Sequence, residues 1–314
     1  MKRLLRETSA YKRLRADAAE NDLSHAVLVL FPDEKLLRPL LRECAAVYFG
    51  AEDGGRVSRL IGEESFSDCV FFPAEGEKLT AESAARLLDE SVLRPVEGTR
   101  KLFVLDGFQN VTPLVQNKLL KMFEEPAEGV CFLLGATAEH AVLPTVLSRM
   151  KKLTAPPFSE EQVQAALARE YAGEQGIAAA AAASGGIYSV AVDLLKGGGE
   201  DFALAARFLT EENFAACCRE IGERKEKRAF LAALKLTLRD ALFHATWQER
   251  YAALRKKEIE EIAREYPAGA LIRAVSLTGE AERQIQFNAN FGMALFTLAL
   301  GIREEKEKWR KLSS

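Results

Sequence analysis

The chain has no apolar run long enough to cross a bilayer; its apolar stretches are strand-sized or broken by charges. No signal-peptide core follows the basic opening Met1-Lys2-Arg3-Leu4-Leu5-Arg6-Glu7, so a cytoplasmic location with no membrane contact is expected. It has no excess of one charge either. With 43 Lys and Arg against 46 Asp and Glu, the net charge of -3 excludes a broadly basic nucleic-acid binder and a polyanion mimic, so any contact with DNA must be local. Cysteine is sparse and irregular. Cys44, Cys69, Cys131, Cys217 and Cys218 are odd in number and form no Cys-x-x-Cys pair, and the three histidines lie far apart. Neither a disulfide frame nor a four-ligand zinc site is expected, only reduced structural thiols. There is no internal repeat, and one loop-sized absence matters more than the rest: no glycine occurs between Ala26 and Phe49.

What is present is ordinary in bulk and informative in order. At 314 residues, 48% hydrophobic and 28% charged, the chain can bury sizeable cores and exceeds the usual length of one compact domain. In its first half strand-like apolar runs alternate with helical patterns, the order that builds a parallel sheet. Strands are expected over 26–31, 69–72, 101–106, 130–136 and 151–154, with helices near 35–48, 80–93 and 112–125. The third helix has the clearest punctuation, with Thr112 as N-cap, Pro113 where a missing N–H costs nothing, and Pro126 beyond its end.

Pro156-Pro157-Phe158 breaks the alternation, and Ser159-Glu160-Glu161-Gln162 reads as a capping box opening a new helix. Beyond it only helices are expected. An alanine-rich stretch at 177–183, a Ser184-Gly185-Gly186 turn and an apolar run at 190–195 make a small unit, closed by the break Gly197-Gly198-Gly199. Helical spacing then recurs through 230–243 and 287–302, separated by charged stretches, as in a helical bundle.

A parallel α/β domain commonly binds phosphate where its first strand feeds a glycine-rich turn and a helix N-terminus, because bare N–H groups must approach the anion. Here the turn is Phe31-Pro32-Asp33-Glu34-Lys35, with two carboxylates that would repel a triphosphate and a lysine best read as exposed. A hydrolase also needs an acidic pair at a strand end, one carboxylate for magnesium and one for the attacking water. Asp106 supplies the first, but position 107 is glycine. Arg149, after Leu143-Pro144-Thr145-Val146-Leu147-Ser148, is either a salt-bridging surface residue or an arginine whose fork serves phosphate in a neighbour's site. Spacing leaves both open.

Taken together, Ser24-His25-Ala26, the block Gln116-Asn117-Lys118-Leu119-Leu120-Lys121-Met122-Phe123-Glu124-Glu125-Pro126, Phe132-Leu133-Leu134 and Leu143 to Arg149 resemble the clamp-loader branch of the AAA+ superfamily, in its delta-prime group. The resemblance is strong over residues 24–150, thin from 156 to 280, and has a weaker echo at Phe287-Asn288-Ala289-Asn290. It implies an α/β AAA+ core with a five-stranded parallel sheet over 1–155, a small helical lid over 156–204 and an all-α collar over 205–314. It implies a role for Ser148 and Arg149, which match a Ser-Arg-Cys motif whose arginine reaches a neighbouring subunit's ATP; Met150 replaces the cysteine. Gamma/tau and delta subunits would be partners, with the sliding clamp and primed DNA reached through the assembled complex. Ser189 stands where hydrolysing members carry a lid arginine, Ala136 or Thr137 where they carry a polar sensor, and the interval 49–67 lacks the zinc module's cysteines, so no cofactor of its own is expected.

Other residues divide between bland and functional readings. Glu124 and Glu125 end a helix, where negative charge opposes the macrodipole, so one of them is expected to pair with a basic residue of the core or of an adjoining subunit. Asn288 and Asn290 are further candidates for subunit contact. Lys2, Arg3, Arg6, Lys12, Arg13 and Arg15 read as a solvated helix face before they read as a DNA contact, and His25 as a hydrogen-bonded structural residue. Lys225, Lys227, Arg228, Arg255, Lys256 and Lys257 read as exposed helix faces, and Phe287, Phe291, Phe296 and Trp247 as helical core or subunit contact. An ATPase in its own right and a DNA-binding adaptor with a vestigial core are the alternative readings.

Overall fold

Residues 1–77, 79–197, 199–224, 226–248, 252–254, 257–287 and 289–313 are described by a computed structural model. They form two compact units, Met1–Phe158 and Ser159–Ser314.

The first unit is a five-stranded parallel sheet, β1 (Ala26–Leu30), β2 (Cys69–Phe72), β3 (Lys101–Leu105), β4 (Val130–Ala136) and β5 (Lys151–Thr154), in the order β2-β3-β4-β1-β5. Registers such as Ala26↔Phe132, Cys69↔Leu102 and Val27↔Lys151 align the strand starts along one edge. Strands β1 and β3 are buried at every residue, which is why they read as unbroken Ala-Val-Leu-Val-Leu and Lys-Leu-Phe-Val-Leu runs: a parallel sheet covered on both faces has no polar side.

The chain opens with α1 (Lys2–Arg6) and α2 (Ser9–Ala19), continues with α3 (Glu34–Tyr48), α4 (Arg56–Gly62), α5 (Ala81–Ser91) and α6 (Pro113–Glu124), and ends this unit's helices with α7 (Pro144–Leu147). Helix α6 buries Val115, Leu119, Met122 and Phe123, a stripe at helical spacing, onto the sheet. There Phe123 packs edge-on to Phe132, at 5.3 Å between ring centres, and Phe132 stacks on Phe103 at 5.8 Å. Burying each ring contributes about 2–3 kcal/mol. Thr112 precedes the first helical residue, but its hydroxyl makes no capping bond; the Pro113 start and the Gln116 N–H to Thr112 carbonyl bond suffice. Helix α4 gave no signal in the sequence, being seven residues long with Ile61 its one buried residue.

The basic residues of α1 and α2 are largely engaged with acids. Arg6 binds Glu43 at 2.6 Å and Asp53 at 3.0 Å, and Arg13 binds the buried Asp17. Met150 is buried in the core of the sheet's helical layer, so the residue that replaces the motif cysteine is a packing residue.

Among the described residues of the second unit every regular element is a helix: α8 (Glu160–Glu170), α9 (Ile177–Ala183), α10 (Tyr188–Lys196), α11 (Glu200–Thr210), α12 (Phe214–Glu223), α13 (Lys227–Ala245), α14 (Lys257–Glu265), α15 (Ala268–Gln286) and α16 (Phe291–Ser313). The capping box at Ser159 and Gln162 is formed in both directions. A division at 204/205 falls inside α11, whereas Gly197 and Gly199 flank its start. The charged stretches thought to separate helices are helical in part: in α14, Ile259 and Ile262 bury one narrow face of an otherwise charged segment. Three aromatics expected in the core or at a subunit contact are not core residues. Trp247 is 91% exposed, Phe287 65% and Phe296 42%, because Trp247 lies past the end of α13 and Phe287 caps α15 rather than opening the last helix. Lys225, Arg255, Lys256 and Asn288 lie outside the described residues.

Candidate functional site

Two places in the α/β unit bear on chemistry, at opposite edges of the sheet. The first is the carboxyl edge, where parallel sheets bind ligands. Strand β1 runs into Phe31-Pro32-Asp33, and Asp33 is fully buried with its carboxylate accepting the Leu36 N–H at 3.2 Å. The helix N-terminus that would hold a phosphate is thus capped by the chain's own anion. Lys35 is exposed on the first turn of α3.

At the end of β3 the Asp106 carboxylate meets Arg38 of α3 at 3.4 Å. Arg38 is saturated: Nε and Nη2 fork onto Glu64 at 2.7 and 2.5 Å, Nη1 and Nη2 each donate to the Pro73 carbonyl at 3.1 Å, and the guanidinium lies over the Phe71 ring. Arg42 joins the same glutamate at 2.9 Å. Burial pushes the Asp106 carboxyl up, and the pull of Arg38 only partly offsets it. Burial also pushes Glu64 up, but the hydrogen bonds and charges of Arg38 and Arg42 outweigh it and hold Glu64 below the ordinary range. Gly107, where a second carboxylate would be needed, has φ +64° and opens a short 3-10 turn. The anion position and the metal-facing carboxylate are therefore both occupied from within. Sequence reasoning missed Arg38 and Glu64, which stand 26 positions apart; Asp33 as an N-cap was legible one residue before the helix.

The second place is the amino edge, just ahead of β1, β4 and β5. His25, Phe123, Glu124, Ser148 and Arg149 line an open cleft of about 460 Å³. Ser148 caps α7 and its hydroxyl donates to the Thr145 carbonyl at 3.1 Å. The Arg149 guanidinium binds Glu124 through Nε, at 2.5 Å, and through Nη2. Its Nη1 donates to the Thr145 carbonyl at 2.6 Å and to Ser148 Oγ at 3.2 Å. One third of the arginine side chain remains exposed. In the same cleft His25 Nε2 lies 3.3 Å from the Phe123 carbonyl, a contact that makes it the donor.

Glu124 is thus brought to Arg149, while Glu125 is exposed and caps α6 through its backbone N–H alone. Asn290 accepts the Met293 N–H at 3.1 Å, as the N-cap of α16. Gln116, whose only sequence signal was its place in the motif, is buried and ties three backbone groups together. Its amide donates to the Val111 and Ala141 carbonyls, and its oxygen accepts the Leu143 N–H at 2.9 Å. That fixes the segment leading into α7 and hence Arg149.

Residues 6–159, the α/β half, match the family described as DNA polymerase III, delta subunit. Through this half the chain resembles the DNA polymerase III clamp-loader family. This half is the five-stranded parallel α/β unit, and every regular element among the described residues beyond it is a helix. This chain is 31% identical over 110 residues to the tau/gamma subunit of Haemophilus influenzae, a match covering 35% of this chain and 16% of that protein. It is 38% identical over 63 residues to the gamma/tau subunit of Mycobacterium tuberculosis, covering 20% of this chain and 11% of that one. These matches span less than a fifth of the curated relatives' length. A gamma subunit-related protein of Thermotoga maritima aligns over 93% of this chain and 99% of its own, with 18% identity and a TM-score of 0.48. Among the described residues no group of three or more His, Cys, Asp or Glu side chains is placed to hold a metal, and no helix is long and apolar enough to cross a membrane.

Proposed function

We propose that this chain is a delta-prime-like subunit of a bacterial clamp loader: it does not hydrolyse ATP itself and lends Arg149 to the ATP of a neighbouring subunit. The observation that carries the reading is the position of Arg149. It lies at the amino edge of the sheet, and the nucleotide-type site of its own chain lies at the carboxyl edge, one strand length or roughly 16 Å away. An arginine there is out of reach of its own site and open to a neighbour's. In that role the guanidinium stabilises the charge that develops on the γ-phosphate oxygens as water attacks. The filled carboxyl edge, with Asp33 at the helix terminus, Arg38 on Asp106 and glycine at 107, supports the non-hydrolysing half of the reading.

In this reading the helices up to Gly199 are the lid and those beyond it the collar. Gamma/tau and delta subunits are the partners, with Glu125, Asn290 and the exposed Met293 and Phe296 of α16 available to them. The sliding clamp and primed DNA are reached through the complex, in the cytoplasm. The test is reconstitution with the gamma/tau-type and delta-type subunits of the same organism. R149A should lower turnover at the neighbouring site by about 10³-fold, with assembly unchanged by mass measurement. Full ATPase and clamp loading in the R149A complex would overturn it.

The curated relatives carry gamma/tau names, which favours a second reading, an ATPase in its own right. Equilibrium dialysis of the isolated chain with labelled ATP separates the two: micromolar binding belongs to the second reading alone.

A further inference from the structure

Glu124 occupies an awkward place for a carboxylate. It is the last residue of α6, where the helix's own carbonyls present negative charge, yet its backbone is fixed by Phe123, which is 1% exposed in the core. Among the described residues the cation that meets it is Arg149. We infer that Glu124 is a positioning residue that holds the Arg149 guanidinium in the orientation a neighbour's phosphate requires. The inference rests on Arg149 acting in trans and adds the residue that aims it.

The geometry distinguishes aiming from restraint. A guanidinium has five N–H donors in a fixed fork. Glu124 takes the long edge, Nε and one hydrogen of Nη2, while Thr145 and Ser148 take Nη1. The fifth donor, on Nη2, has no hydrogen-bond partner among the described residues, and the side chain that carries it lines the cleft and is one third exposed. The Ser148 contact, at 3.2 Å, is the longest of the set and the easiest to exchange for a phosphate oxygen. A carboxylate meant to restrain the arginine would cover the tip; this one grips the side and leaves the tip open. The neighbouring Phe123 carbonyl is already engaged by His25. An arginine held in this way has already lost the rotamer freedom that a free surface arginine would lose on meeting the phosphate, so the gain falls on turnover.

The test compares wild type, E124A, E124Q, R149A and the E124A/R149A double variant in the complex reconstituted with gamma/tau-type and delta-type subunits, with DNA- and clamp-stimulated ATP hydrolysis measured across ATP concentration. E124A should lower kcat about ten-fold while KM for ATP moves less than about two-fold. E124Q, which keeps the acceptor oxygen and loses the charge, should recover part of the loss, and it carries the test if E124A fails to assemble. In the R149A background E124A should add nothing, because the two act as one unit. Turnover at or above wild type in E124A, beside a defective R149A, overturns the inference and makes Glu124 a restraint or a bystander. A further loss on top of R149A overturns it too, by showing a structural route. Full turnover in R149A is a different outcome: it removes the trans role of Arg149 itself.

Discussion

Arg38 and Glu64 form a two-pronged ion pair, 2.7 Å at one oxygen and 2.5 Å at the other, directly beside the lone carboxylate of Asp106. Arg38 is 7% exposed, so the pair is mostly removed from water, and its value depends on both partners being present. E64Q should therefore destabilise the α/β unit by about 2 kcal/mol, because the buried guanidinium keeps only the more distant carboxylate of Asp106 and exchanges its forked one for a neutral amide. D106N should be neutral or stabilising, because burial disfavours the charge of Asp106 and Arg38 keeps its fork without it. Urea melts of the two variants check the contrast; equal losses would show that Asp106 is a structural member of the network.

The same pair predicts a pH dependence with a definite sign. Glu64 is held below its ordinary range in the folded chain, so its contribution is complete above the unfolded glutamate range and is lost as pH falls through the depressed value. The stability difference between wild type and E64Q should be constant from neutral pH down to about pH 5 and shrink below it. A difference that grows on acidification would show that the arginines do not set the glutamate's ionisation.

Gly107 holds φ +64°, and a Cβ built there meets only Asn110 Nδ2, at 3.6 Å. There is room for a side chain but not a comfortable backbone. G107A should cost about 1 kcal/mol, seen as a melting-temperature shift of a few degrees. G107E should cost a similar amount and confer no ATP hydrolysis on the isolated chain, since Asp33 and Arg38 remain in place.

Gln116 satisfies three backbone groups, one 5 positions back and two across 25 and 27 positions. Q116L preserves volume and leaves the Leu143 N–H without its acceptor, at a cost of about 2–3 kcal/mol. Hydrogen exchange at the Leu143 amide should accelerate more than at the strand amides of β4. Uniform acceleration would place the effect on global stability alone.

Gly135 lies in β4 where α3 crosses closest. A Cβ there falls 2.6 Å from Leu41 Cδ1 and 3.1 Å from Leu37 Cδ1. G135A should destabilise by about 1–3 kcal/mol through overpacking, and L41V should relieve part of that loss when the two are combined. Strict additivity in denaturant melts would exclude the contact as the cause.

Much of the architecture was legible in the chain, because the signals that end an element act over a few residues. Strands β2, β4 and β5 begin and end at 69–72, 130–136 and 151–154 as read from apolar runs bounded by turn residues, and the Ser159 capping box opens its helix where the local pattern placed it. The missing glycines of the phosphate turn, the lone Asp106 and the motif around Arg149 were likewise local. Tertiary structure decided what each of these meets. The sheet order puts Arg149 at the edge opposite Asp106, joins it to Glu124 across 25 positions, and seats Arg38 between Glu64 and Asp106 across 26 and 68. Tertiary structure also left Trp247 and Phe287 exposed, outside the helical core that was one of their two readings. A residue's neighbours in the chain set its backbone conformation and capping. Which charge sits within hydrogen-bonding distance depends on how strands distant in sequence pair, and that information resides in the packing of the whole unit.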